Sequence, residues 1–232
     1  MMLILLIAES ALEVVPRKLW PDPYVVRNAS RRGKEPGRIL LDRSYHHRAM
    51  LRLRDAYRRG RPDIVHMSLL QALGSPLNRE GMLRTYVHTI QDYVIDVDPS
   101  VRLPKNYDRF VGLIEQLFEY GQVPPEGPPL LRIRKRRLPA LVEELQPDLT
   151  IAFTREGARE ELEKAIHDAR GCRRLLVIVG GFPRGHFSEE TKKVADRLVC
   201  IDKEGLEAYV VIPRIIYEYE RALQLPRRRL QP

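Results

Sequence analysis

Three short stretches hold the residue types that could do chemistry. The first is GRPDIVHMSLLQALGSPLN, residues 60–78, in which Arg61, Pro62 and Asp63 stand at the mouth of an apolar helix. Pro62 fixes its own φ, so both charged side chains project from a stiff base. Three readings of Asp63 follow from these residues: an N-cap for the helix, a carboxylate that holds Arg61 in place, or a general base. His66 sits among Ile64, Val65, Leu69 and Leu70 and reads as a satisfied, partly buried histidine. The second stretch is VRLPKNYDRF, where Arg102, Lys105 and Arg109 are spaced by three and four, so one helical turn would gather them. Three cations at a helix start oppose its dipole, and a bound anion such as a phosphate would complete the arrangement. A solvated basic face is the plainer alternative.

The third stretch is LLVIVGGFPRGHFSEET, a Gly-rich loop at the carboxyl end of a buried strand, where open α/β sheets bind ligands. It matches neither the Walker pattern nor Gly-x-Gly-x-x-Gly. Gly180, Gly181 and Gly185 permit close backbone approach or positive φ. Two more strand ends, at Thr154 and at Ile201 followed by DKEGL, are expected at the same sheet edge, where three loops would form a cleft. A metal is not expected. Asp96 and Asp98 share one strand face with nothing nearby to complete a site, the six His have no ligand spacing, and the two Cys form no Cys-x-x-Cys.

The elements that must position these residues follow from periodicity. LILLIA reads as a buried strand and ESALEVVPRKLW as a short helix ending near Pro16. Residues 22–38, polar and rich in breakers, read as a loop. SYHHRAMLRLRDAYRRG reads as a helix stopped by Gly60. The next helix has Asp63 as candidate N-cap, Gly74 as C′ and Pro76 just beyond. RTYVHTI and DYVIDVDP read as two strands around a tight turn, and YDRFVGLIEQLFEYG as an amphipathic helix. The prolines at 123–129 are the best candidate internal boundary. Beyond them LLRIRK is a strand with a basic outer face, followed by LPALVEELQ (helix), DLTIAFT (strand), GAREELEKAIHDARG (helix), RRLLVIVGG (strand), SEETKKVADR (helix), LVCI (strand) and a terminal helix. Continuous apolar strands alternating with helices mean an α/β fold with a mainly parallel sheet covered on both faces.

Lys and Arg number 40 against 31 Asp and Glu, a net charge of +9 carried mostly by Arg. That balance favours a polyanionic partner, nucleic acid before membrane, or else an Arg-rich surface in a thermostable protein. MMLILLIAES lacks the basic start of a signal peptide and meets Glu9 too early. No apolar run approaches the ~20 residues a bilayer needs. A soluble, cytoplasmic protein is expected.

RPDIVHMSLLQALGSPLN, VRLPKNYDRFVGLIEQL and VIVGGFPRG, in this order, resemble the SPOUT-class pseudouridine-N1 methyltransferases of small-subunit ribosome biogenesis, the Nep/Emg family. The resemblance covers nearly the whole chain. It implies a single SPOUT domain over 1–232 with a C-terminal trefoil knot, a rare exception to unknotted chains, and a small β-containing extension, with about 22–60 as the family-specific insertion. It implies S-adenosyl-L-methionine as cofactor, small-subunit ribosomal RNA as partner and a homodimer. Carried over by position, Thr154, Gly180, Gly185, Ile201, Asp202, Lys203, Glu204, Gly205 and Leu206 would line the cofactor. Arg61, Arg102, Lys105 and Arg109 would contact RNA, with Asp63 orienting Arg61 as the catalytic pair. Lys105 stands where many relatives have Arg, and DKEGLEA departs from the relatives' last cofactor loop, which leaves backbone contacts there. Two other functions stay open at this point: a SPOUT methyltransferase of tRNA, and an RNA-binding assembly factor with secondary methylation.

Overall fold

The structure, a computed structural model, describes residues 1–231. One eight-stranded sheet runs through it in the order β4-β5-β3-β2-β1-β7-β6-β8. The strands are β1 (Met2–Ser10), β2 (Leu83–Thr89), β3 (Tyr93–Val97), β4 (Gln122–Val123), β5 (Leu131–Lys135), β6 (Leu149–Arg159), β7 (Arg174–Gly180) and β8 (Arg197–Cys200). The pairings from β2 through β8 are parallel, and the β3, β5 and β4 side is antiparallel.

The middle strand β1 shows why its sequence is an unbroken apolar run. Leu3, Leu5 and Ile7 enter one core, and Ile4, Leu6 and Ala8 enter the other. A strand covered on both faces has no polar side. The larger core holds helices α3 (Pro62–Gly74), α4 (Pro76–Arg79), α5 (Tyr107–Tyr120), α7 (Leu162–Asp168) and α9 (Ala208–Ala222); the smaller is closed by α6 (Leu138–Leu145) and by Phe187, which precedes α8 (Glu189–Lys193). A final α10 (Leu225–Leu230), not expected from periodicity, follows α9. The prolines at 123–129 link β4 to β5, which hydrogen-bond to one another within the sheet.

Four expected elements differ. Residues 11–16 are not helical, because their backbone groups are taken by distant partners: Ala11 N–H donates to Gly181 O (2.8 Å), Val15 N–H to Ile39 O (2.9 Å), and Glu13 O accepts from Leu41 (2.9 Å). Residues 22–38 are not a loop throughout. Asp22 accepts the Tyr24 N–H at 3.0 Å and Pro23 takes the first helical position, so α1 (Pro23–Arg31) forms with Val25 and Ala29 buried. The helix before Gly60 stops early, as α2 (Arg43–Met50). The chain must turn back there, because the Gly60 carbonyl accepts the Arg43 N–H (2.9 Å) and Gly60 packs on Met50. Gly60 does adopt positive φ (+67°), as the end of that turn and not of a helix.

Residues 157–159 continue β6 instead of opening a helix. After a bulge Ala158 and Arg159 pair with Val199 and Cys200. A Cβ on Gly157 would lie 2.4 Å from the backbone of Leu198 and Val199, so only glycine admits the approach.

α1 and α2 enclose a small core of their own, with Leu19, Val25, Ile39, Leu41 and Met50. Glu115 of α5 joins this layer to the body. It is buried and accepts from Arg32 (2.5 and 2.7 Å), Lys34 (2.8 Å) and the Leu40 N–H (2.9 Å). Glu115→Gln keeps the shape and removes the charge. We expect urea unfolding to show a loss of about 2–3 kcal/mol, with the amides of α1 exchanging faster than those of β1. Unchanged exchange in α1 would show that the small apolar core holds this layer unaided.

Candidate functional site

Parallel strands bring their carboxyl ends to one edge, and there the irregular stretch of β6 after Phe153, which holds Thr154 within the strand and not at its end, and the loops after β7 and β8 enclose a cleft of about 480 Å³. That volume suits a nucleoside-sized ligand. Its walls are apolar, with Phe153, Val179, Phe182, Phe187, Val199 and Val211. Its rim is charged, with Arg155, Arg184, Asp202, Glu204 and Glu207. Of the expected cofactor residues, Thr154, Gly180, Gly185, Ile201, Asp202, Glu204, Gly205 and Leu206 line the cleft; Lys203 is exposed and does not.

The glycines act in different ways. Gly185 takes φ +101°, a conformation other residues rarely adopt. Gly181 permits close approach: a Cβ there would lie 2.2 Å from Ser10 Oγ and 2.9 Å from Ile7 Cγ2. Its N–H donates to Ala8 O (2.8 Å) while its carbonyl accepts from Ala11 (2.8 Å), so the start of the loop is clamped to the end of β1.

The same clamp holds Arg61 next to this loop, since its N–H donates to Ala11 O (3.1 Å), although its side chain does not line the cleft. Its guanidinium makes a two-pronged contact with Asp63, Nε to Oδ1 at 2.8 Å and Nη2 to Oδ2 at 2.7 Å. That hydrogen-bonded pairing raises the Arg61 pKa against the opposing effect of burial, with further help from the charge of Asp63 and from Glu207 on the rim. Asp63 is not the N-cap. Arg61 occupies that position without a side-chain cap bond, and Asp63 lies one residue inside the helix after Pro62. Both of its oxygens face Arg61, which leaves the Nη1 side of the guanidinium for a ligand. Gly74 is the last helical residue and lacks positive φ, because Ser75 ends α3 and caps α4, accepting the Asn78 N–H at 3.1 Å.

Arg102, Lys105 and Arg109 do not share a helical turn, because residues 101–104 have no regular secondary structure, residues 105–106 form a bend and α5 starts at Tyr107. The buried side chains of Val101 and Leu103 alternate with exposed Arg102, and Asn106 caps α5 by accepting the Arg109 N–H (3.0 Å). Asp108 in the first turn answers the helix dipole. All three cations are exposed, and among the described residues none makes an ion pair. α3 and α4 hold this segment in place. His66 Nε2–H donates to Pro104 O (2.7 Å) while its ring stacks on Phe110 at 4.2 Å, and Asn78 Nδ2 donates to Pro99 O (2.9 Å). Asp96 pairs with Arg134 (3.1 Å), and no group of metal-ligating side chains occurs among the described residues.

Phe182 and Phe187, edge to face at 5.7 Å, escaped the sequence reading although they flank the loop glycines. Arg155 and Glu207 gave no motif at all.

A model of the EMG1/NEP1 methyltransferase family matches residues 5–220. The ribosomal RNA small subunit methyltransferase Nep1 of Pyrobaculum calidifontis is 47% identical over 229 residues, covering 96% of this chain and 100% of the relative. That of Staphylothermus marinus is 44% identical over 213 residues, covering 91% and 92%. The crystal structure of Archaeoglobus fulgidus Nep1 bound to S-adenosylhomocysteine superposes with a TM-score of 0.83 at 36% identity, covering 96% of this chain and 98% of that one.

Gly181→Ala tests the clamp under the cleft. We expect a stability loss of about 2 kcal/mol by thermal unfolding, the cost of overpacking a closed contact. Gly180→Ala should cost less, since the nearest atoms are in the Phe182 ring, which can turn.

Proposed function

The chain belongs to the EMG1/NEP1 methyltransferase family, and on that premise we propose that it methylates N1 of a pseudouridine in small-subunit ribosomal RNA. The coarser statement, methylation of small-subunit ribosomal RNA with S-adenosylmethionine, rests on the family, the relatives' names and the neighbour bound to S-adenosylhomocysteine. The observation that supports the finer one is the Arg61–Asp63 pair beside the cleft. It offers a fixed cation and a carboxylate already engaged on both oxygens. Such a site suits an acceptor nitrogen that gives up its own proton. Pseudouridine is joined to ribose through carbon, so its N1 carries a proton.

The residues fit the cofactor. The apolar walls suit an adenine ring, the loops that carry Gly180, Gly185, Gly205 and Leu206 offer backbone groups to it, and the acidic rim suits its cationic end. S-adenosylmethionine supplies a methyl group bound to a sulfonium. When bound, it would give that methyl carbon to N1 with its carbon–sulfur bond as the one broken, and the N1 proton would pass to solvent. Much of the acceleration comes from alignment. Negative charge spreads to the ring carbonyls as N1 loses its proton, and the held Arg61 guanidinium stabilises it. Arg102, Lys105 and Arg109 bind phosphates, and a loop gives up its base most readily.

A homodimer belongs to the same proposal. Met67 on α3 and Val210 and Tyr217, seven apart on α9, stay exposed on two helices that pack together. The trefoil knot is likewise part of it, supported by β7 lying between β1 and β6 although it follows both. No helix among the described residues is long and apolar enough to cross a membrane. In this reading the enzyme works in the cytoplasm.

Labelled S-adenosylmethionine offered with two RNA loops, one holding pseudouridine and one uridine, should label the first alone. Equal labelling of both, or none, would sink the N1 assignment, and preference for tRNA would move the substrate. Two variants test the residue roles. Arg102 and Arg109 replaced together should weaken RNA binding and lower the salt slope by about 2, with cofactor affinity intact. Asp63→Asn should weaken RNA binding about tenfold, the loss of one charge-assisted contact. Normal RNA affinity without methyl transfer would instead make Asp63 the base.

A further inference from the structure

Residues 182–187 form one wall of the cleft, yet among the described residues no backbone hydrogen bond ties them to the rest of the fold. Side chains must hold this wall. We propose that Glu9 and Arg58 are positioning residues for cofactor binding: their ion pair fixes Arg58 against the Phe182 ring and thereby sets the wall against which the nucleoside of S-adenosylmethionine packs. This inference rests on the cofactor reading of the cleft.

Glu9 lies next to the end of β1 in the left-handed conformation, φ 50°, which is uncommon and unfavourable for a residue other than glycine. Its N–H donates to His88 Nδ1 at 3.4 Å. Its carboxylate joins three separate segments. Oε1 accepts from the Ser188 N–H (2.9 Å), Ser188 Oγ (2.7 Å) and Thr191 Oγ1 (2.6 Å), and Oε2 accepts from Arg58 Nη2. Ser188 and Thr191 open α8, so Glu9 fixes the downstream end of the wall, as Gly181 fixes the upstream end.

Arg58 closes the remaining side. Its guanidinium carbon stands 4.2 Å from the centre of the Phe182 ring, and Phe182 meets Phe187 edge to face. A cation over an aromatic face is attracted by the ring quadrupole, more strongly where water is excluded. Both partners are well shielded, with side chains 16% and 10% exposed for Arg58 and Glu9. Burial pushes the Glu9 carboxyl up, but the hydrogen bonds from Thr191 and Ser188 and the charge of Arg58 carry it below its ordinary value, so it stays ionised. The turn that carries Arg58 also touches the loop at Gly185, whose Cβ position lies 3.4 Å from Tyr57 and 3.6 Å from Arg58. Carboxylate, guanidinium and ring thus form a continuous strut from β1 to the cofactor.

The test uses the full chain with Glu9→Gln, Arg58→Met, Arg58→Lys, Phe182→Leu and the double variant Glu9→Gln/Phe182→Leu. Glu9→Gln, Arg58→Met and Phe182→Leu should each raise the calorimetric Kd for S-adenosylhomocysteine and the KM for S-adenosylmethionine about tenfold. In each, kcat and RNA affinity should stay within about twofold. Arg58→Lys, which keeps the charge, should fall between Arg58→Met and the unaltered chain. The double variant should bind little worse than its weaker parent, because both changes break one strut. The proposal is overturned if melting temperatures fall while KM is unchanged, or if the losses multiply in the double variant. Should Glu9→Gln fail to fold, Arg58→Met and Phe182→Leu decide by the same criteria. An unaltered chain that binds no S-adenosylhomocysteine would instead overturn the cofactor reading itself.

Discussion

Three of the four carboxylates buried in the body, Glu9, Glu13 and Glu115, pair with cations, and every one of those cations comes from residues 22–60. Glu115 takes Arg32 and Lys34. Glu13 takes Arg59 on both oxygens (2.7 and 2.5 Å) and Gln91 (2.7 Å), and Glu9 takes Arg58. A buried charge without its partner destabilises strongly, so these contacts dictate where the layer must sit. That layer holds eleven Lys and Arg against four Asp and Glu, and much of its basic character is answered by the body's carboxylates. Exposed cations without ion pairs among the described residues include Arg27, Arg31 and Arg48 in the layer and Arg102, Lys105 and Arg109 outside it.

Backbone contacts link the two halves of the site. The cleft is made by β6 and by the loops after β7 and β8, while Arg61 and the basic segment before α5 belong to the other side of β1. They meet through Ala8, Ala11, Gly181 and Arg61, joined by successive backbone hydrogen bonds. A methyl donor and a nucleic-acid acceptor must be aligned to a fraction of an ångström, which favours rigid backbone ties over mobile loops. α3 contributes from its other face through His66, and α4 through Asn78, which hold the chain around Arg102. The helix that follows Arg61 therefore also helps to position the cations proposed to face RNA.

Most departures from the local sequence pattern have a tertiary cause. Residues 11–16 have apolar residues at helix-compatible spacing, but Gly181, Ile39 and Leu41 claim their backbone groups. Residues 22–38 have the composition of a loop, yet Asp22-Pro23 is a local helix-start signal and α1 follows it. At Gly157 the close approach of β8 turned a helical pattern into strand, and nothing local announces it. In the site, the Gly-rich loop was legible because glycine at a strand end has few other uses. Glu9 and Arg58 were not, being 49 residues apart and without a motif.

The sequence by itself determined the parallel core, the sheet edge where the cleft forms and the family to which the chain belongs. These depend on local pattern: unbroken apolar strands, glycines at their carboxyl ends, and the residues around Arg61 and Arg102. Only the tertiary structure decided that Asp63 grips Arg61 instead of capping its helix, that residues 101–106 lie outside any helix, and that Glu9 pairs with Arg58. Each of those outcomes is a contest between partners for one buried or half-buried polar group. Such contests are settled by distance in space, which spacing along the chain does not encode.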